Sequence, residues 1–212
     1  MTKKRAAVIG IALVITILVS VFAVVPIAMS STLTWSISVG DKTTYHVTVE
    51  GWELNVTYVV VQPSRYAVLD GVNVSSEIVL LPELGFFLNG GEFSKRVIQI
   101  DKVNVTFQNG TIIPDDIASR LKSMLSNCIL PTSSWPLIDI FFPDTYSSGP
   151  GAGTYWSHGG TSSFHFGYYS FGFDSITQMS SSISYETGLP SVVSYRYRHG
   201  VDAEFNITLV QV

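Results

Sequence analysis

Charge is what this sequence has least of. Only 12 Lys+Arg and 16 Asp+Glu occur in 212 residues, 13% of the chain, against about a quarter in a typical soluble domain. Apart from Lys3, Lys4 and Arg5 there is no basic cluster, and the net charge is −4, which excludes an electrostatic nucleic-acid binder. Cysteine occurs once, as Cys128, so neither an intrachain disulfide framework nor a Cys-based zinc finger can form. Asparagine occurs only seven times. No His-Glu-x-x-His, Gly-x-Ser-x-Gly or P-loop pattern is present, and no motif calls for a cofactor.

What the chain does have is hydrophobic residues, 46% of the total with a mean hydropathy of +0.33. Much of that excess lies in Ala6–Ala28, which carries no charge. Without residues 1–28 the mean falls to roughly +0.1. A run of this length spans a bilayer as a helix. With Lys3, Lys4 and Arg5 before it and no basic residue after it until Lys42, the positive-inside bias places the N-terminus in the cytoplasm. The expected organisation is a basic stub (1–5), a transmembrane signal-anchor helix in the lipid bilayer (6–28) and an extracellular domain (31–212). The alternative is a signal peptide cleaved near Ser30 after the small residues of Ala28-Met29-Ser30, which gives a secreted protein.

Five of the seven Asn open an N-x-[ST] sequon: Asn55, Asn73, Asn104, Asn109 and Asn206. Ser and Thr make up about a fifth of the chain, so chance would give only about one or two. In Leu54–Tyr58, Val103–Phe107 and Phe205–Leu209 the Asn and Thr alternate with apolar residues. A strand would then hold each Asn on the face opposite the core. N-linked glycans are the expected partners of these positions. The plain reading is that Asn and Thr are good solvent-face residues.

Period-two alternation predicts a mainly β fold, a β-rich α+β domain. Leu33, Trp35, Ile37 and Val39 alternate with polar residues, as do Tyr45, Val47 and Val49. Gly51 divides that run from a further strand at 52–61, and residues 65–70 and 72–81 read as extended. A stretch at 95–107 switches phase, which suggests a bulge near Asp101-Lys102, and Asn109-Gly110 is a hairpin turn signal. One amphipathic helix is expected at about 114–128. Pro114, Asp115 and Asp116 suit its start, and Ile117, Leu121, Met124, Leu125 and Cys128 share one face. Residues 132–143 read as an apolar loop. Strands are expected at about 163–172, 174–186, 190–198 and 203–211. The whole predicts a mostly antiparallel curved sheet or sandwich with one packed helix.

The spacing Trp35-x3-Val39-Gly40-Asp41-x3-Tyr45-x-Val47 after an apolar N-terminal helix resembles a large set of archaeal cell-surface proteins that have no assigned activity. Tyr185-Glu-Thr-Gly188 resembles their C-terminal hairpin. The resemblance implies a host that N-glycosylates exported proteins and a β-rich ectodomain, with no catalytic residues to carry over. Lys3-Lys4-Arg5-Ala6 and the apolar run after it also resemble archaeal type IV pilins. That implies a second class of function, a subunit of a filament or cell envelope.

Candidate chemistry is sparse. His158 and His165, with Asp174, could hold a metal, although turn or solvent-facing roles explain them as well. The aromatics of the apolar loop and the Gly-rich stretch, Trp135, Phe141, Phe142, Tyr155 and Trp156, could contact a lipid or other apolar ligand. They serve equally as core. The expectation is therefore a non-catalytic surface protein that binds an apolar ligand or self-associates, with an exported enzyme of unrecognised motif as the remaining class.

Overall fold

The computed structural model describes Val14 and residues 33–55, 60–133, 135–142, 153–172 and 174–212. The expected anchor at 6–28 lies outside the described residues, Val14 apart. Among the described residues no helix is long and apolar enough to cross a membrane.

The chain is mainly β. Strands β1 (Lys42–Asn55) and β2 (Val60–Pro63) are followed by a 3-10 turn (Arg65–Leu69) and β3 (Asn73–Ile78). A short helix α1 (Gly90–Phe93) runs into a π-helical turn (Ser94–Ile98), then come β4 (Val103–Phe107), α2 (Asp115–Cys128) and α3 (Trp135–Phe141). Five strands close the chain: β5 (Thr154–Gly159), β6 (Phe164–Phe171), β7 (Ser175–Ile183), β8 (Pro190–His199) and β9 (Ala203–Gln211). All nine described strands join one sheet in the order β4-β3-β1-β9-β8-β7-β6-β5, with β2 beside β1. Every pairing is antiparallel. The expectation of a sheet or a sandwich thus resolves to one sheet.

Alternation gives this sheet two unlike faces. On one, Tyr45 and Val47 of β1, Ile207 and Leu209 of β9, Val193 of β8 and Phe164 and Phe166 of β6 are buried. Helix α2 packs over that face on β4, β7 and β8. Its predicted stripe is the buried one, with Ile117, Leu121, Met124, Leu125 and Cys128 all in the core. Pro114 is the residue before the first turn. Among the described residues no helix lies over the other face.

Several local expectations fail, each for a physical reason. Residues 33–39 form no strand, because β1 is already paired on both sides by β3 and β9. The segment is instead pinned by a bridge from Thr34 to Thr132, with Leu33 and Ile37 buried. Gly51 does not end β1. At φ 110° it bends the strand across β9, and the separate strand expected at 52–61 is the end of β1 followed by β2. Residues 65–69 turn as a 3-10 helix, started where the Tyr66 N–H donates to Ser64 Oγ. The stretch at 95–107 is not a bulged strand. Val97 and Ile98 are adjacent and both buried in a π-helical turn, and the phase switch marks the step from helix to β4. Residues 135–141 are helical, burying Leu137 and Ile138, where a loop was expected. Asn109-Gly110 does make its turn, with Gly110 at φ 84° and a bridge between Thr106 and Ile112.

Candidate functional site

Cross-strand register aligns the open face in rows. Glu50, Asn206, Arg196, Gln178 and Tyr169 are successive partners from β1 to β6. The next row is Thr48, Thr208, Ser194, Ser180 and Gly167. Small side chains in the second row leave a groove of about 510 Å³, floored by Ser180 and Ser194 and bordered by Trp52, Arg196 and Glu204. Its volume falls in the range of small-molecule sites, but its lining is polar. Arg196 Nη2 donates to Glu204 Oε1 at 2.7 Å. That hydrogen bond, ahead of the guanidinium charge, holds the Glu204 carboxyl below the usual carboxylate range.

The sequons sort onto this face. Asn206 stands in the groove, where Ser194 Oγ donates to its Oδ1 at 3.0 Å and its Nδ2 donates to Thr208 Oγ1 at 3.4 Å. Asn73 pairs with His46, sharing a hydrogen bond of 2.9 Å between Oδ1 and the His46 ring. Its Nδ2 donates to Gln108 Oε1 at 3.1 Å. Asn104 is exposed on the edge strand β4, and Asn109 is exposed in the turn beyond it, where Thr111 donates to its side chain. Asn55 ends β1.

The five aromatics do not form one site. Trp135 packs between Phe164 and Tyr185. Phe141, Phe142 and Tyr155 join Phe93 and Phe166 in a cluster under the covered face. These three also border an open hollow of about 430 Å³ with Gly90, Gly91 and Ser94. Trp156 lies on the opposite face. It is seated over Gly167, where a Cβ would come within 2.4 Å of its ring.

His158 and His165 face each other across β5 and β6. Asp174 is not with them, because it lies at the other end of the β6–β7 hairpin, where its carbonyl accepts from the Gly200 N–H. Among the described residues no cluster of three or more His, Cys, Asp or Glu could hold a metal. Cys128 is fully buried, its thiol pushed up to about 12 by that burial, and its Sγ donates to Met179 Sδ at 3.9 Å.

Sequence reasoning missed two cations on the covered side, the buried Lys102 and the half-buried Arg120. Lys102 is fully buried. The signal for Arg120 was available: it stands three residues after Ile117 and four before Met124, on the edge of the apolar stripe of α2.

Comparison with known proteins adds no relative: no family model, no curated protein and no solved structure matches this chain.

Proposed function

We propose that this chain is an exported, N-glycosylated surface protein with a non-catalytic binding role, held to the membrane through residues 6–28, and that the open sheet face is its working surface. One observation carries the reading. Asn73, Asn104 and Asn206 lie on the face that, among the described residues, no helix covers, and Asn109 lies in the turn at its edge. None competes with the core for space. The polar groove beside Asn206 fits hydroxyl-rich ligands, because Ser180, Ser194, Gln178, Arg196 and Glu204 offer both donors and acceptors. The test is the intact mass of the protein purified from its own host. Each of the substitutions Thr57→Ala, Ser75→Ala, Thr106→Ala, Thr111→Ala and Thr208→Ala should remove the mass of one glycan. A wild-type mass equal to that of the bare polypeptide overturns the reading.

The second reading keeps the apolar ligand, and the hollow bordered by Phe141, Phe142 and Tyr155 favours it. Native mass spectrometry of the host-purified protein tests it. A bound lipid lost on Tyr155→Ala supports it, and a ligand-free protein refutes it.

A further inference from the structure

A row of aromatic side chains crosses the covered face of the sheet beneath α2. Tyr155 on β5 is the direct partner of Tyr168 on β6, which pairs with Met179 on β7, which pairs with Tyr195 on β8. Arg120 reaches down from α2 onto this row, its guanidinium carbon 4.7 Å from the centre of the Tyr195 ring. Arg120 Nε is buried and has no hydrogen-bond partner. Among the described residues no carboxylate pairs with it, and Asp116, one helical turn earlier, is exposed. Arg120 as a whole is half-buried, so it is this inward-facing edge of the guanidinium that lacks a partner.

Between Arg120 and the tyrosines is a hollow of about 250 Å³, and none of the residues that line it is acidic. Gln99, from the end of the π-helical turn, and Thr177 on β7 also line it, Gln99 as a hydrogen-bond partner of Tyr155 and Thr177 of Tyr195. Burial raises the pKa of both Tyr155 and Tyr195, so at neutral pH their phenols keep their protons and can donate. The enclosure therefore combines one permanent cation with several hydrogen-bond donors and no competing negative charge. A planar guanidinium meets a carboxylate or phosphate with two parallel bonds.

We infer that this hollow is a binding site for a small oxyanion, a carboxylate or a phosphate, with Arg120 as its charge partner and Tyr155, Tyr168 and Tyr195 as the donors around it. The site supplies the counter-charge that the fold withholds from Arg120. It is separate from the open face and does not depend on glycosylation.

Thermal unfolding of the full chain in acetate, in inorganic phosphate and in chloride at equal ionic strength tests this. A ligand specific to the folded state raises the unfolding midpoint progressively with its concentration. We expect that rise in acetate or phosphate and not in chloride, and which of the two acts identifies the anion class. Arg120→Met should abolish the rise, and Arg120→Lys, which keeps the charge but loses the fork, should weaken it several-fold. Tyr168→Phe, a milder change, should weaken binding without unfolding the chain. The inference is overturned if neither anion differs from chloride, or if Arg120→Lys and Tyr168→Phe both respond as the wild type does.

Discussion

Lys102 is tied to Ser126 twice: its Nζ donates to the Ser126 carbonyl at 2.7 Å, and its backbone N–H donates to the Ser126 hydroxyl at 2.8 Å. The same Nζ also reaches the Ile98 carbonyl at 3.3 Å. One fully buried side chain thus serves the last turn of α2 and the end of the π-helical turn, where free carbonyls and the helix dipole both favour a cation. Burial opposes the charge and lowers the Lys102 pKa from 10.5 to about 7, with Cys128 and Asp101 pulling the other way.

A pH dependence follows. Below about pH 7 the amine is protonated folded and unfolded alike, and the folded state bears the full cost of a buried cation. Between about 7 and 10.5 the unfolded chain holds a proton that the folded chain releases, so stability rises with pH. Cys128, raised from 9.0 to about 12, acts in the opposite direction above about pH 9. Urea unfolding between about pH 6 and pH 8.5 should therefore show stability climbing, by at most about 1.4 kcal/mol per pH unit. Lys102→Met should remove that climb. A wild-type profile as flat as the variant's would refute this account of Lys102.

Gly51 and Gly40 both have positive φ, 110° and 96°, but only Gly51 is crowded. A Cβ at Gly51 would lie 2.2 Å from the Glu204 carbonyl oxygen and 2.5 Å from Phe205 Cα, whereas nothing lies within 4 Å of one at Gly40. Gly40→Ala should cost only the backbone strain, about 1 kcal/mol. Gly51→Ala adds a collision between two central strands and should cost at least about 2 kcal/mol more. Equal losses in chemical denaturation would show that β1 and β9 can separate at this point.

Cys128 is fully buried and its thiolate is disfavoured. At mildly alkaline pH a thiol reagent should modify it no faster than the chain unfolds. Labelling should accelerate in step with rising urea and follow the unfolding curve. Rapid labelling of the folded protein would mean that α2 opens locally from the sheet.

The sequence was most legible where a side-chain period ran long and unopposed. The α2 stripe and the last four strands could be read because Ile117 to Cys128 keep a helical spacing and Phe205 to Leu209 keep a strict alternation. The reading failed where a short segment owes its form to distant partners. Leu33 to Val39 alternate as a strand does, but the sheet has no free edge at β1 to receive them. Val97 and Ile98 sit in a π-helical turn closed by Lys102, and no local pattern announces that. Phase alone placed Asn104 and Asn206 on the outer face, where they lie; Asn73, for which no phase was read, lies there too. The aromatic site could not be derived in this way. Tyr155 and Trp156 are neighbours in sequence and so point to opposite faces, which divides any site that contains both.

Phe142 distinguishes core from surface among those aromatics. Its ring lies against Phe93, Phe141, Tyr155 and Phe166, with centroid distances from 5.6 to 6.4 Å, and it is only 7% exposed. Truncation to Ala would leave a void that rings on four other elements cannot readily fill. Phe142→Ala should therefore destabilise the chain by about 3–5 kcal/mol. Phe86, 61% exposed, is the control, and Phe86→Ala should change stability by no more than about 0.5 kcal/mol. Chemical denaturation of both variants measures the difference. If Phe142→Ala were as mild as Phe86→Ala, the cluster would be yielding rather than packed, and the hollow beside it would be the better candidate for an apolar ligand.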